Sequence, residues 1–261
     1  MNNVNKTLYI PLYGKSYVSK KGVILRDEKA EEIWRGVEFP LKGKSKSKWL
    51  AYYLGMRAAV FDAWTREKID ADGECVVLQL GCGLDSRALR VGAGETLWYD
   101  VDFPAVIEER RQYYQETEIY RMLGADITQT DWLQQIPKTK RAVVIMEGVS
   151  MYLPPEQIKD LFASLSAHFS SVSLLVDCYT TFAAKMTRIK NPIREVGVSK
   201  VYGFDAPKDL VENSKLRFLQ ERSITPTALI EQLKGLEKNV FKTLYAGATS
   251  KKLYKLYEYE S

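Results

Sequence analysis

The chain has 261 residues, enough to bury a sizeable core, and that length suits one α/β domain with additions better than two domains. Hydrophobic residues make up 46% and charged residues 27%, with a net charge of +5, an ordinary globular composition whose mild basicity does not point to nucleic acid. No apolar run approaches the roughly 18 residues of a membrane span, and MNNVNKTLYIPLYGKS lacks a signal-peptide pattern, so a cytoplasmic, non-membrane protein is expected.

Residues 1–46 read as loop-rich, with a short helix near Glu28–Trp34. The basic run Lys42 to Lys48 reads as a solvated loop, with an acidic partner or carrier protein as the alternative. From Ser47, a good N-cap, Trp49, Tyr52, Tyr53, Met56, Ala59, Val60, Ala63 and Trp64 recur at helical spacing and predict a long helix to about Lys68. Strands follow at Val76–Leu80, Thr96–Val101, Tyr120–Leu123, Arg141–Met146 and Ser173–Val176, with helices opening at Pro104 and at Pro154-Pro155-Glu156. This alternation argues a mostly parallel, doubly wound sheet. Residues 180–206 are too long for a simple connection and read as a cap over the sheet's edge. Two further strands, 216–224 and 251–260, flank a helix from Thr225 and would add an antiparallel edge strand. Cys75, Cys82 and Cys178 form no CxxC pair and have no His cluster beside them, so no zinc or other metal site is expected.

The chemistry concentrates at CVVLQLGCGLD, residues 75–85. A buried strand that stops at Gly81-Cys82-Gly83 before a helix builds half of a nucleotide pocket, although a plain strand-to-helix turn gives the same pattern. A dinucleotide fingerprint asks for a third glycine at position 86, which is Ser86, and Asp85 at the turn's mouth would repel a pyrophosphate. Asp102 lies 19 residues after Gly83, close to the roughly 20 expected of a carboxylate that grips a ribose diol. The pattern therefore points to an adenosine-type ligand without a pyrophosphate, and S-adenosylmethionine fits. Asp85, Asp102, Asp126, Glu147 and Asp177 all fall at or just past the carboxyl end of a predicted strand, the ligand edge of an open α/β sheet. Asp85 and Asp177 are read as helix-cap or turn residues. On pattern alone Arg57 reads as a solvated helical charge.

These segments resemble the leucine carboxyl methyltransferase family, over nearly the whole chain. The match is to its bacterial branch of polyketide O-methyltransferases, carried by TLYIPLYGKSYVSKKGVILRDEKAEEIW, LQLGCGLDSRALR, WYDVDFPAVIEERR, GADIT, MEGVSMYLPPEQ and GFDAP. The resemblance implies a Rossmann-like class I methyltransferase fold with an N-terminal helical extension (1–70), a cofactor-binding core (71–178), a cap insertion (179–206) and a C-terminal part of the sheet (207–261) in one domain. It also implies roles for single residues. Arg57 would pair with the carboxylate of the cofactor's methionine, and Gly81 and Gly83 would make the turn beside the cofactor. Asp102 would bind the ribose, Asp126 and Ile127 would bracket the adenine, and Glu147 would supply another contact. Cys82 stands where alanine is frequent and Ser86 where threonine is usual.

A carboxylate acceptor is ionised at neutral pH and needs no general base, whereas a phenol benefits from one. The single histidine, His168, falls in a helix away from the carboxyl edge and reads as structural, which favours a small-molecule carboxylate over a hydroxyl. Tyr152, Tyr179 and Arg194, with Arg188, Lys190 and Lys200, are the candidates to orient the acceptor. An NAD(P)-dependent oxidoreductase and a non-catalytic S-adenosylmethionine-binding module are the competing readings. The pattern leaves the oligomeric state open.

Overall fold

Every residue of strand β1 (Cys75–Leu80) is buried, as expected where both faces of a sheet are covered. The computed structural model describes residues 5–38, 41, 43–71, 74–138, 141–186, 200–247 and 252–261. Side chains of β1 alternate between two cores. Val76, Leu78 and Leu80 pack with Ile158, Leu161, Phe162 and Leu165 of α6 (Pro155–His168). Val77 points the other way, toward Phe61 and Trp64 of α3 (Lys48–Asp70).

The seven-stranded sheet has the order β3-β2-β1-β4-β5-β7-β6. β2 (Leu97–Asp102), β3 (Tyr120–Gly124), β4 (Arg141–Met146) and β5 (Ser171–Tyr179) run parallel to β1. β7 (Tyr254–Glu260) pairs antiparallel with β5, and the edge strand β6 (Arg217–Glu221) pairs antiparallel with β7. The chain moves outward from β1 to β3 and then crosses back to β4. That reversal opens a crevice at the carboxyl ends of β1 and β4. α3 begins at the expected cap, where the Ser47 side chain accepts from Trp49 N at 3.3 Å.

Three expectations need correction. Residues 1–46 contain a second helix, α1 (Tyr9–Lys20), besides α2 (Glu28–Gly36). Pro11 and Gly14 look like breakers, yet Pro11 occupies the first turn, where its missing N–H is not needed. Gly14 lets α1 approach α3, since a Cβ there would lie 3.1 Å from Leu54 Cβ. Next, β5 does not stop at Val176: β7 pairs with it as far as Tyr179, so Asp177 lies within a strand and is no turn or cap residue. Finally, the helix after Thr225 is two short ones, α8 (Thr227–Ile230) and α9 (Gly235–Leu244). Within the expected cap, 179–206, the described residues are 179–186, which include α7 (Thr181–Met186), and the stretch 200–206. The second stretch is tied down by Tyr202 N donating to Met151 O (2.8 Å) and Phe204 N to Tyr179 O (2.6 Å), and Thr181 N donates to Asp205 Oδ1 (3.0 Å) to join the two.

The α1–α3 contact also relies on Gly55, where a Cβ would stand 2.8 Å from Cγ2 of the fully buried Val18. Gly55→Ala is expected to lower unfolding free energy by about 1–2 kcal/mol in urea denaturation, because overpacking a stiff buried valine outweighs alanine's better helix propensity.

Candidate functional site

Beyond Leu80 the backbone turns through Gly81 (φ +68°) and Gly83 (φ +52°), left-handed conformations that favour glycine. A Cβ at Gly81 would also stand 2.3 Å from Val149 Cγ2, so the turn has no room for a side chain there. The turn is bound to the end of β2: Gly81 N donates to Val101 O at 2.7 Å and Gly83 N to Asp102 Oδ2 at 2.8 Å. Phe103 N donates to Asp102 Oδ1 at 2.7 Å. Burial outweighs both donors and pushes the Asp102 carboxyl up to about 6. The other acid of β2, Asp100, serves the core and accepts from Trp98 Nε1 (2.8 Å), the Tyr120 hydroxyl (2.6 Å) and Arg110.

The turn opens on a cavity of about 440 Å³. Arg57, Gly81, Gly83, Asp102, Asp126, Ile127, Glu147, Tyr152 and Tyr179 all line it, although they come from elements far apart in the chain. Arg194 lies outside the described residues, as do Arg188 and Lys190. Lys200 is exposed, with Nζ 5.0 Å from the Tyr202 ring centre, and does not line the cavity. His168 is likewise elsewhere, with Nε2 3.2 Å from Ile136 O. Asp126 is exposed and takes Thr128 N and Oγ1 on Oδ1 (3.0 and 2.8 Å), while Ile127 beside it is buried.

A buried ion network backs the cavity. Arg57 donates through Nε to Glu147 Oε1 (3.0 Å) and through Nη1 to Asp177 Oδ2 (2.8 Å). Arg87 of α4 (Arg87–Val91) bonds Glu147 on one side and Asp62 on the other (2.8 Å). Arg90 bonds Asp62, Asp27 and Asp85, each at 2.7 Å. Lys15 of α1 reaches Asp85 at 2.6 Å. Asp27, Asp62, Asp85, Glu147 and Asp177 thus face Lys15, Arg57, Arg87 and Arg90, which leaves one formal negative charge in excess. Burial works to raise Glu147, but Arg87 and Arg57 win and hold it below its ordinary value. Asp85 is held well below by Arg90, Lys15 and Arg87 against the same burial. In Asp177 burial prevails and the carboxyl is raised. Asp85 and Asp177, expected as local caps, are instead buried members of this network.

A profile of the leucine carboxyl methyltransferase family matches residues 13–166, more than half of the chain. The chain belongs to the leucine carboxyl methyltransferase family. It is 28% identical over 241 residues to the tetracenomycin polyketide synthesis O-methyltransferase TcmP of Streptomyces glaucescens, covering 91% of this chain and 89% of that one. It is 26% identical over 183 residues to the S-adenosyl-L-methionine-dependent methyltransferase dpfgK of Gibberella zeae, covering 64% and 61% of the two chains. Magnesium protoporphyrin IX methyltransferase from Synechocystis PCC 6803, solved with bound S-adenosylhomocysteine, shares the fold at a TM-score of 0.55 and 12% identity, over 94% of this chain and 96% of that one. The chain is therefore an S-adenosylmethionine-dependent methyltransferase with a class I, Rossmann-like fold.

Several cavity residues of this methyltransferase escape a reading of its sequence. Lys15 and Leu8 line the wall from α1 and the turn before it, a region that reads as loop. Tyr53 and Tyr254 line it too, their rings edge-to-face with centres 6.0 Å apart, and Tyr254 meets Tyr179 at 4.9 Å. Tyr53 sits in the aromatic stripe that reads as core. Nothing in the alternating strand LYKLYEYE marks Tyr254. Arg87 does carry a signal, since it follows the glycine turn directly in GLDSRALR.

Arg87 is completely buried between Asp62 and Glu147. Arg87→Met is expected to cost about 3–5 kcal/mol in urea denaturation, because it strands buried carboxylates without a partner. Asp62, Asp85 and Glu147 are all lowered, so their contribution is complete above the ordinary carboxylate range and is lost as pH falls through their folded values. The share of stability that these three carboxylates supply should accordingly hold above about pH 5 and decline below about pH 4, where the free carboxylates of an unfolded chain protonate. It is read as the difference between wild type and Arg87→Met in urea denaturation; the raised Asp102 and Asp177 act in the opposite sense as pH rises.

Proposed function

We propose that this methyltransferase transfers the methyl group to oxygen, and that its acceptor is a carboxylate on a small molecule. The observation that carries the reading is the composition of the cavity wall. Fit to the cofactor comes first. Arg57 Nη2 has no protein acceptor among the described residues, which leaves a donor for the carboxylate of the methionine tail. Gly81 and Gly83 offer bare backbone, Asp102 stands at the end of β2 for ribose hydroxyls, and Asp126 with Ile127 stands at the end of β3 for adenine. Glu147 and the network's excess negative charge suit the tail's ammonium and the sulfonium. When bound, S-adenosylmethionine supplies a methyl group on a positively charged sulfur.

The residues themselves align, neutralise and exclude water. Leu8, Ile10 and Leu12 cover the cavity from the N-terminal side, and a dry, shaped site is most of what an in-line methyl transfer asks of a protein. Tyr152 and Tyr179 stand where they would orient the acceptor, and Arg194 is assigned to the same task. Burial raises Tyr152 and Tyr254, so neither is a phenolate base near neutrality. Asp102, pushed up toward neutrality, lies three strand positions from Tyr179 in the order β2-β1-β4-β5, roughly 14 Å at about 4.8 Å per strand. Among the described residues a phenol at the tyrosine wall would therefore lack a base, whereas a carboxylate has no proton to remove. A cytoplasmic site of action belongs to the same proposal; among the described residues no helix is long and apolar enough to cross a membrane.

Calorimetry with S-adenosylhomocysteine, followed by methyl transfer assays on matched aromatic carboxylates and phenols, tests the reading. Turnover of carboxylates above phenols supports it, and the reverse preference overturns the acceptor assignment. Asp102→Ala is expected to weaken S-adenosylhomocysteine by about tenfold or more, the order of a lost charged hydrogen bond. Protonated Asp102 is a poorer acceptor, so wild-type affinity should fall as pH drops through about 6, and the Asp102→Asn profile should be flat there.

A further inference from the structure

Arg57 is held by more groups than an exposed binding arginine needs. Its Nη1 donates to Asp177 Oδ2 at 2.8 Å and to the Tyr254 hydroxyl at 2.9 Å. The same hydroxyl donates to Asp177 Oδ2 at 2.6 Å, closing a triangle around one guanidinium nitrogen. Asp177 is fully buried on β5, and its other oxygen accepts from Gly148 N at 2.7 Å. Tyr254 comes from β7, the one strand of the sheet that runs against its two neighbours, and its ring is wedged between Tyr53 and Tyr179. Nε is taken by Glu147. Nη2 is the nitrogen left over, close to the position a Cβ on Gly148 would occupy (3.3 Å) on the cavity wall.

A guanidinium is rigid and planar, so fixing it at Nε and Nη1 also fixes the direction in which Nη2 points. We infer that Asp177 and Tyr254 are positioning residues, which orient Arg57 so that Nη2 meets the carboxylate of the cofactor's methionine tail. The inference rests on the cofactor reading given above. Stability alone does not account for the triangle. Burying ions costs several kcal/mol each, and apolar side chains of similar volume commonly do as well or better. The alignment of one free nitrogen is what an apolar replacement would not supply.

The test compares two nucleosides by calorimetry on wild type, Tyr254→Phe and Asp177→Asn. S-Adenosylhomocysteine carries the amino-acid tail; 5′-methylthioadenosine has the same thioether and adenosine without it. Tyr254→Phe keeps the ring packing and is expected to weaken S-adenosylhomocysteine about 3–10-fold, and Asp177→Asn about tenfold or more. 5′-Methylthioadenosine should bind all three proteins alike, which a merely structural role would not allow. Equal weakening of both nucleosides in Tyr254→Phe, or unchanged S-adenosylhomocysteine affinity in that variant, overturns the inference. Wild type that binds S-adenosylhomocysteine no more tightly than 5′-methylthioadenosine also overturns it while leaving the adenosine site intact. Binding of neither nucleoside by wild type overturns the cofactor reading itself.

Discussion

Taking a guanidinium out of water costs several kcal/mol unless carboxylates meet it at hydrogen-bonding distance, and this protein buries the side chains of Arg57, Arg87 and Arg90 side by side. Their compensation ties together α1, the cap of α2, α3, the glycine turn, α4 and the ends of β4 and β5. Each acid is satisfied only if all these elements dock at once. The network therefore couples the N-terminal helices to the sheet and shapes the floor of the cavity in the same act.

The glycine turn is the complement of this charged floor. Gly81 and Gly83 bring bare backbone to the cavity, and Val149 leaves no space for a side chain at Gly81. The turn is pinned by Asp102, whose carboxyl stays partly reluctant to ionise because the wall withholds water from it. The cavity thus has one end at β2 and β3, where backbone and one titratable acid dominate, and another at β4 and β5, where ions are paired and tyrosines supply the wall.

That division bears on the chemistry. Methyl transfer needs little beyond alignment and exclusion of water, so functional residues here are chosen for geometry more than for reactivity. Cys82, within the glycine turn, is buried with its thiol raised well above the ordinary value, an environment that disfavours the reactive thiolate. His168 sits beside the Ile136 carbonyl and does not line the cavity.

Periodicity and spacing along the sequence were enough to place β1 to β4, the long α3 with its Ser47 cap, the glycine turn and the carboxylates Asp102, Asp126 and Glu147 at one edge of the sheet. These are local signals: an apolar run, a glycine doublet, a proline at a helix start. Arg57 became legible through family resemblance alone, since a lone arginine on a helix looks solvated until its partners are known. Tertiary structure decided the rest. α1 exists because Gly14 and Gly55 allow it to close on α3, through the contacts Gly14–Leu54 and Val18–Gly55 between residues 40 and 37 positions apart. Asp177 and Tyr254 matter because β7 pairs with β5 over the full length to Tyr179, joining residues 77 positions apart around Arg57. A hydrogen bond of that kind has no period and no fixed spacing, so only the folded chain reveals it.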